Sequence, residues 1–282
     1  MADQVHLQRL CSQVRRDIVR MVHGASSGHP GGSLGCTEFF VTLYFDLLRI
    51  DPTRFSVEDQ GEDLFFLSNG HISPVFYSVL ARRGYFPLRE LPTFRKIDSR
   101  LQGHPTTHEG LPGVRVASGS LGQGLSVAIG AALAKKQNDD KHLVYSLHGD
   151  GELQEGQVWE AAMFAPNRGV DNLIATVDAN GQQIDGATDD VMPLRDIEQK
   201  FTAFGWDTLL IEKGNDLAAV QQGLRAAQKR TGKGKPVMVV MHTEMGAGVD
   251  FMEGTHKWHG VAPNDEQLET ALNQLEETLG DY

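Results

Sequence analysis

Hydrophobic and polar positions in the first half of the chain predict two helices, one strand and a long loop. Apolar residues recur at helical spacing over residues 5–23 and again over residues 37–48, which predicts two amphipathic helices. A polar, glycine-rich stretch at residues 26–32 interrupts this pattern. An apolar run at residues 63–67 predicts a short buried strand, and residues 88–113, with three prolines, predict irregular loop with a short helix.

In the second half of the chain, apolar strands alternate with helical patterns. The strands are predicted at residues 143–147, 172–177, 206–211 and 236–241, and the helices at residues 120–136, 152–164, 193–204, 217–231 and 265–279. Continuously apolar strands that alternate with helices are typical of a parallel sheet covered on both faces. We therefore expect a three-layer α/β/α fold with a doubly wound, mostly parallel sheet. Because no linker rich in Pro and Ser divides the chain, we expect one domain over residues 1–282.

The composition narrows the classes of partner. The chain has 26 Lys and Arg against 37 Asp and Glu, a formal net charge of −11, so nucleic-acid binding is disfavoured. No apolar stretch approaches the roughly 20 residues that span a bilayer, and residues 1–10 lack the pattern of a secretory signal. Two cysteines without a CxxC pair fit a reducing compartment, so we expect a cytoplasmic protein with no membrane partner.

Two oxygen-bearing side chains follow neighbouring predicted strands. Asp150, between two glycines, follows the strand at residues 143–147, and Asn180 follows the strand at residues 172–177. Ligands of open parallel sheets bind beyond the carboxyl ends of the strands. Oxygens of Asp150, Asn180 and a nearby backbone carbonyl would form half of an octahedron for Mg²⁺, and a helix beginning near Glu152 would add N–H groups for an anion. Taken alone, each loop is a tight turn or a cap; their spacing across one helix and one strand favours a metal-bridged diphosphate.

Eleven histidines occur, and some of them lie in loops. His29, His71 and His104 each sit beside Gly or Pro, and His259 lies in a Trp-His-Gly turn. Loop placement suits ligand contact better than packing in a core. An ordinary structural role is expected for His6, His23, His108, His142, His148, His242 and His256.

At these motifs the sequence resembles the transketolase family. GDGELQEGQVWEA followed by DNLIATVDANGQQIDG is similar to the thiamine diphosphate motif of that family. The collinear agreement extends to SSGHPGGSLG at 26–35, SNGH at 68–71, LQGHP at 101–105, GSLGQGLSVAIGAALA at 119–134 and WHG at 258–260. The resemblance implies a diphosphate-binding domain with the thiamine diphosphate-binding fold, thiamine diphosphate and Mg²⁺ (or Ca²⁺ or Mn²⁺) as cofactors, and carbohydrate metabolism of the pentose phosphate type.

The resemblance also implies roles for individual residues. The metal ligands would be Asp150, Asn180 and the backbone carbonyl of Gln182. The residues around the cofactor would be His71, Gly119, Leu121, Gly149, Asp150, Gly151, Glu155, Asn180 and His259, with Gly119 and Leu121 near the aminopyrimidine ring and Glu155 in a glutamate network at a subunit interface. The catalytic histidines, which contact substrate hydroxyls and move protons, would be His29, His104 and His259.

The length of the chain departs from the usual pattern of the family. Single-chain members continue with a pyrimidine-binding domain and a C-terminal domain, which carry the glutamate that contacts the aminopyrimidine and most residues that grip a sugar phosphate. The resemblance therefore implies the N-terminal subunit of a split transketolase, whose partner in an α2β2 heterotetramer is a separate C-terminal subunit. Residues 243–248 also lack the lysines that the corresponding family segment often carries.

The expected activity is transfer of a two-carbon ketol unit from a ketose or ketose phosphate donor to an aldose acceptor. Two alternatives stay open at this point: a subunit similar to 1-deoxyxylulose-5-phosphate synthase, which decarboxylates pyruvate, and a non-catalytic scaffold that retains the cofactor site. An NAD-dependent dehydrogenase is disfavoured, because no acidic ribose-binding residue follows a Gly-x-Gly-x-x-Gly fingerprint.

Overall fold

A five-stranded sheet lies at the centre of the fold. The computed structural model describes residues 3–57 and 61–282. Residues 1–2 and 58–60 of the predicted domain therefore lie outside the described part. Residues 1–2 also belong to the N-terminal segment, residues 1–10, that lacks the pattern of a secretory signal. The strands in chain order are β1 (Leu64–Leu67), β2 (Val144–Gly149), β3 (Leu173–Ala179), β4 (Gln182–Gln183), β5 (Gly186–Ala187), β6 (Asp207–Ile211) and β7 (Val237–His242).

The topology of the sheet brings the ends of β2 and β3 together. The spatial order is β1-β2-β3-β7-β6, and every neighbouring pair in this order is parallel. The register pairs Gly149 with Asp178, so the loops that follow these residues leave the same edge of the sheet. The short strands β4 and β5 form a separate antiparallel hairpin just beyond that edge. The predicted mostly parallel sheet and the predicted adjacency of the two loops are confirmed.

Helices cover both faces of the sheet. In chain order the α-helices of the described residues are α1 (Gln4–Ala25), α2 (Pro30–Gly35), α3 (Thr37–Thr42), α4 (Ser73–Arg83), α5 (Gly124–Gln137), α6 (Gly156–Asn167), α7 (Thr188–Val191), α8 (Ile197–Phe204), α9 (Leu217–Gln228) and α10 (Asp265–Gln274). One buried apolar cluster joins α1, α3, α4 and α9 to one face, and a second joins α5, α6 and α8 to the other. This is the three-layer α/β/α arrangement that the alternating pattern predicts.

Local chemistry sets the helix ends, which differ from the predicted ones. Asp3 caps α1 by accepting a hydrogen bond from the Val5 N–H at 3.0 Å. The helix predicted from residue 120 begins only at Gly124, because Gly119 and Gly122 have φ values of +121° and +87°, outside the helical region. The helix predicted from residue 193 begins at Ile197, after the Asp196 cap.

The glycine-rich stretch predicted to interrupt the first two helices contains a buried helix of its own. Every residue of α2 is buried. A Cβ on Gly31 would lie 2.6 Å from Met245 Cγ, and one on Gly32 would lie 2.9 Å from Ile72 Cγ2. The glycines therefore allow this helix to approach its neighbours closely. A prediction that treats glycine only as a loop former misses this packing.

The C-terminal helix packs near α1, and both cysteines are buried. The predicted C-terminal helix ends at Gln274 instead of residue 279, and Asp265 at its start lies 2.7 Å from His23 Nε2 on α1. Cys11 and Cys36 are free thiols buried under the first helices, with 5% and 0% of their surface exposed. Among the described residues, none of the helices has the length and apolar character that crossing a membrane requires.

Candidate functional site

A cavity of about 320 Å³, lined by many polar side chains, opens at the carboxyl ends of β2 and β3. It collects side chains from segments that are far apart in the sequence. The predicted site residues that line it are His29, His71, Gly119, Leu121, Gly149, Asp150, Gly151, Glu155, Asn180, Gln182 and His259. His104 does not line it but packs against its wall at Gly119, where a Cβ would lie 2.6 Å from the His104 ring.

Asp150 lies at the floor of this cavity and joins the two predicted loops. Its Oδ1 accepts a hydrogen bond from the Gly151 N–H at 2.7 Å, and its Oδ2 accepts one from the Gly181 N–H at 2.6 Å. Burial and the nearby Asp178 carboxylate raise the pKa of Asp150 to about 7. Among the described residues, no cationic side chain forms an ion pair with it. A divalent cation would supply the missing positive charge.

Asn180 is held in place by a buried carboxylate that sequence reasoning missed. Asp178, 2% exposed, accepts a hydrogen bond from Asn180 Nδ2 at 2.9 Å and another from the Thr243 hydroxyl. Burial raises the pKa of Asp178, and hydrogen bonds from Thr243 and Cys36 offset part of that effect. The Asn180 Oδ1 atom accepts from the Gln182 N–H at 2.9 Å and keeps a second lone pair.

A second missed carboxylate, Glu152, ties the glycine-rich segments together. It is 1% exposed and accepts hydrogen bonds from the Gly122 N–H at 2.8 Å, from the Gly149 N–H at 3.2 Å and from the Ser68 hydroxyl. Burial would raise its pKa, but these donors and the nearby His148 ring hold the pKa below the ordinary value. Glu152 therefore positions three of the segments around the cavity.

The helix predicted to begin near Glu152 starts later than expected. Residues Gly151–Gln154 form a 3₁₀ turn, and the α-helix α6 begins at Gly156. Asp150 accepts from the Gly151 N–H as the cap of that turn. The N–H groups close to Asp150 are consequently those of a short 3₁₀ turn, and the predicted start of the α-helix at residue 152 is four residues too early.

Four histidines lie close together; His29, His71 and His259 line the cavity, and His104 packs behind Gly119. The ring centroid of His29 lies 5.1 Å from that of His71, 6.1 Å from that of His104 and 5.5 Å from that of His259. His71 and His259 are 5.0 Å apart. The four loops predicted to carry ligand-contacting histidines thus meet in space.

The environment of these rings favours their neutral forms. Burial, followed by the charges of His259 and Arg95, lowers the pKa of His29 to about 4. Burial also lowers the pKa of His71, of His104 and of His259. Each ring is therefore neutral near pH 7, so it can donate a hydrogen bond through one nitrogen and accept through the other.

Glu155 lies apart from these buried groups. It is exposed, precedes α6 and makes no capping hydrogen bond with its side chain. A Cβ on Gly122 would lie 2.9 Å from its Cβ, so the Gly-rich segment before α5 packs directly on it. Its exposed carboxylate leaves the predicted place at a subunit interface as an expectation.

Unpartnered polar atoms show what kind of group the cavity suits. Asn69 Oδ1, His29 Nδ1 and His259 Nδ1 are buried without a hydrogen-bond partner, and all three residues line the cavity. Buried polar groups are nearly always satisfied in proteins, so these atoms call for a polar ligand. Together with the Asp150 carboxylate and the Asn180 amide oxygen, they fit a phosphorylated cofactor held through a cation.

These features define an α/β protein with a cavity, lined by unpartnered polar groups, beyond the carboxyl ends of its parallel strands, where such folds bind phosphorylated ligands. The family described as "Transketolase, thiamine diphosphate binding domain" matches residues 7–279. The chain belongs to this family. The predicted thiamine diphosphate cofactor and the thiamine diphosphate-binding fold are thereby confirmed.

Two curated relatives have nearly the same length as this chain. An apulose-4-phosphate transketolase subunit from Phocaeicola vulgatus is 38% identical over 265 residues, which cover 94% of this chain and 92% of that protein. The 6-deoxy-6-sulfo-D-fructose transketolase subunit SqwG from a Clostridium species is 38% identical over 276 residues, covering 97% of both. Their names, as subunits, imply a partner subunit for those relatives.

Solved transketolases contain this fold as one part of a longer chain. Transketolase from Leishmania mexicana matches with a TM-score of 0.89 and 28% sequence identity, over 100% of this chain and 43% of that one. This chain therefore spans less than half of a single-chain transketolase and nearly all of the two shorter relatives. The chain therefore matches proteins named as transketolase subunits over nearly their whole length, and it belongs to the family of transketolase, an enzyme class whose reaction is ketol transfer, as the sequence motifs predict.

Proposed function

We propose that this chain binds Mg²⁺–thiamine diphosphate in the cavity beyond β2 and β3 and, with a separate C-terminal subunit, transfers a two-carbon ketol unit from a ketose to an aldose. One observation carries the proposal: the loops after two adjacent parallel strands meet, with the Gly181 N–H 2.6 Å from Asp150 Oδ2. That contact brings a buried carboxylate next to Asn180 at the edge where such sheets bind phosphorylated ligands.

The proposed cation ligands are the Asp150 carboxylate, the Asn180 amide oxygen and the backbone carbonyl of Gln182. All three are hard oxygen donors, which suit Mg²⁺, Ca²⁺ or Mn²⁺ better than a thiophilic metal. The buried location and raised pKa of Asp150 support this assignment, because a cation relieves the repulsion between its carboxylate and that of Asp178.

The rest of the cavity would hold the cofactor around this ion. Gly149 and Gly151 flank Asp150 without side chains, so their backbone can approach a diphosphate closely. The proposed contacts beyond them are His71, His259, Gly119, Leu121 and Glu155, which all line the cavity. When bound, thiamine diphosphate supplies the nucleophilic carbon that accepts the ketol unit.

His29, His104 and His259 are the proposed catalytic groups. As neutral imidazoles they can accept a proton from a sugar hydroxyl and return it, and they can donate hydrogen bonds to a developing oxyanion. His29 occupies the centre of this group, between 5.1 and 6.1 Å from the other three rings. A proton that one ring takes up therefore lies near other imidazole rings that can accept it.

The proposed assembly is an α2β2 heterotetramer with a chain that carries the pyrimidine-binding and C-terminal domains. In this assembly residues 1–282 form one diphosphate-binding domain, and Glu155 lies at an interface. The relatives named for apulose-4-phosphate and 6-deoxy-6-sulfo-D-fructose support sugars or sugar phosphates as substrates, and transketolase names favour ketol transfer over pyruvate decarboxylation. The two free thiols support a reducing, cytoplasmic location.

The test is reconstitution with the candidate C-terminal subunit. We expect ketol transfer that requires both chains, thiamine diphosphate and Mg²⁺ together, and we expect Asp150→Ala to release the cofactor from the complex. Cofactor retention after gel filtration is the direct readout. The matched control is Asp171→Ala, which removes a carboxylate that pairs with Lys136 at 2.6 Å, outside the cavity. Normal retention by the Asp150 variant would overturn the metal assignment.

A further inference from the structure

The loop after β1 contributes a side chain, Asn69, that has no assigned role in the cavity. Asn69 lies two residues after the end of β1, and β1 pairs with β2 in parallel, with Leu67 opposite Leu147. A Cβ on Gly149 would lie 3.8 Å from Asn69 Cβ, so the Asn69 side chain packs beside the loop that carries Asp150. The cavity is therefore lined by the loops after three adjacent strands, β1, β2 and β3.

The side-chain amide of Asn69 is buried without using its hydrogen-bonding capacity. The residue is 1% exposed, and among the described residues its Oδ1 atom has no donor and its Nδ2 atom has no acceptor. An asparagine amide can donate two hydrogen bonds and accept two, and buried amides almost always use this capacity. Leaving such a group unpaired costs stability, which a bound ligand with both a donor and an acceptor would offset.

The cavity lacks the cationic side chains that commonly bind a diphosphate. Within the part of the chain that the structure describes, its lining contains neither lysine nor arginine but does contain four carboxylates, those of Asp150, Glu152, Glu155 and Asp178. Neutral N–H donors must therefore bind such an anion alongside the cation. The Asn180 Nδ2 atom already donates to a carboxylate, and the Gln154 Nε2 atom donates to a backbone carbonyl. Asn69 keeps both of its N–H groups for a ligand.

We infer that Asn69 is a further cofactor-binding residue, which contacts the cation–diphosphate group from the β1 side of the cavity. Its amide N–H donates to a diphosphate oxygen, and its Oδ1 atom accepts from a water molecule bound to the cation. Mg²⁺ keeps several waters when it binds phosphate groups, so donors to Oδ1 are available. This inference rests on the proposed function, because it assumes that thiamine diphosphate binds in this cavity.

An amide suits this position better than a charged side chain. A carboxylate would only accept hydrogen bonds and would repel the diphosphate, and an ammonium would have no acceptor for the water. Lysine would also be attracted to the nearby carboxylates of Asp150 and Glu152, which line the same cavity.

The experiment measures ligand binding without turnover. In the complex with the C-terminal subunit, the dissociation constants of thiamine diphosphate and of inorganic pyrophosphate, each with excess Mg²⁺, are measured by calorimetry. Asn69→Leu has a similar branched shape without hydrogen-bonding atoms, and we expect it to weaken both ligands by the same factor, about 10- to 100-fold. Asn69→Asp has the same size but no N–H donor, and it should weaken both ligands at least as much.

The stability of the chain without ligand separates binding from a structural role. Because Asn69→Leu removes a buried amide that has no partner, its urea midpoint should equal or exceed that of wild type. Asn172→Leu is the matched control, since Asn172 directly precedes β3, outside the cavity, and its Nδ2 atom donates to the Ala132 carbonyl at 2.9 Å. This control should lower the midpoint and leave both affinities unchanged.

Wild-type affinities for both ligands in Asn69→Leu and Asn69→Asp would overturn the inference. A loss for thiamine diphosphate alone would also overturn it, because the contact would then lie on the thiamine part of the cofactor. A midpoint as low as that of Asn172→Leu in both Asn69 variants would assign a structural role to Asn69 instead. Failure of the wild-type complex to bind thiamine diphosphate would refute the proposed function itself, and this inference with it.

Discussion

The Asp178 carboxylate accepts a hydrogen bond from the Asn180 amide nitrogen at 2.9 Å. This contact fixes which end of the Asn180 amide faces Asp178 and therefore leaves the amide oxygen as the atom presented on the other side. Asp178 is in turn held by the Thr243 hydroxyl from the loop after β7. The orientation of Asn180, a proposed metal ligand, thus depends on Asp178, a buried residue that the sequence motif does not identify as a ligand.

Removing this orienting contact should weaken cation binding. In Asp178→Ala, the Asn180 amide nitrogen would lose its acceptor, so the Asn180 side chain would lose its fixed orientation. Partners of this kind typically contribute about 10- to 100-fold to metal affinity. The Mg²⁺ concentration needed for half-maximal retention of thiamine diphosphate by the complex should rise accordingly. Thr243→Ser keeps the hydroxyl donor and should behave like wild type; equal Mg²⁺ requirements in all three proteins would contradict the role.

Glu152 should contribute mainly to stability. Glu152→Gln preserves the shape but replaces one acceptor oxygen with a donor that faces the Gly149 N–H. Leaving a buried group unpaired costs about 1–3 kcal/mol, which should appear as a lower free energy of unfolding in urea. Ser68→Ala removes a donor to the same carboxylate and also the acceptor of the Gly124 N–H at 3.1 Å, so it should lower the free energy of unfolding as well. An unfolding free energy equal to that of wild type in Glu152→Gln would show that Glu152 does not hold these segments.

Gly119 should tolerate no side chain. Its φ is +121°, and an alanine Cβ would lie 2.6 Å from the His104 ring. We expect Gly119→Ala to lower the free energy of unfolding by at least about 1 kcal/mol and to lower kcat/KM for ketol transfer, because His104 is displaced. Gly24→Ala, in α1 with no heavy atom within 4 Å of the new Cβ, is the control and should be neutral or stabilising. Equal stability of the two variants would argue against this packing.

The histidine cluster should make stability depend on pH. Because the pKa of His29 is lowered from 6.5 to about 4, the unfolded chain binds more protons than the folded one between these values. The contribution of His29 is therefore present above pH 6.5 and is lost as the pH falls through about 4. We expect His29→Asn to flatten the pH dependence of the unfolding free energy in this window. The wild-type protein and the His29→Asn variant share every other titrating group. Parallel plots of their unfolding free energies against pH would therefore contradict the prediction.

Much of the fold could be predicted because each strand or helix pattern is set by many residues along its segment, so single exceptions do not hide it. The parallel sheet and the adjacency of Asp150 and Asn180 follow from apolar strands alternating with helices. The helix Pro30–Gly35 could not be predicted in this way, because its glycines serve close packing against Met245 and Ile72 rather than a turn. The helix Ser73–Arg83 also escaped prediction, because it is almost entirely buried and shows no polar face.

The sequence indicated residues in loops that line the cavity and missed the buried carboxylates that hold those loops. Histidines in glycine-rich loops stand out in the sequence, whereas Asp178 follows an apolar strand as an ordinary terminator. Glu152 has the same difficulty, since a glutamate after Gly-Asp-Gly looks like an exposed helix residue. A carboxylate directly after a fully buried strand was the one available signal for Asp178, and burial, which decides its role, depends on the tertiary structure.

Cys36, wholly buried and in contact with Asp178, gives the protein an internal reporter. A thiol reagent can reach its sulfur only when the packing between α2, α3 and the end of β3 opens. The rate at which Cys36 is labelled therefore measures how often this part of the molecule opens locally. Ligands that immobilise the adjacent loops should slow the labelling without contacting the sulfur itself.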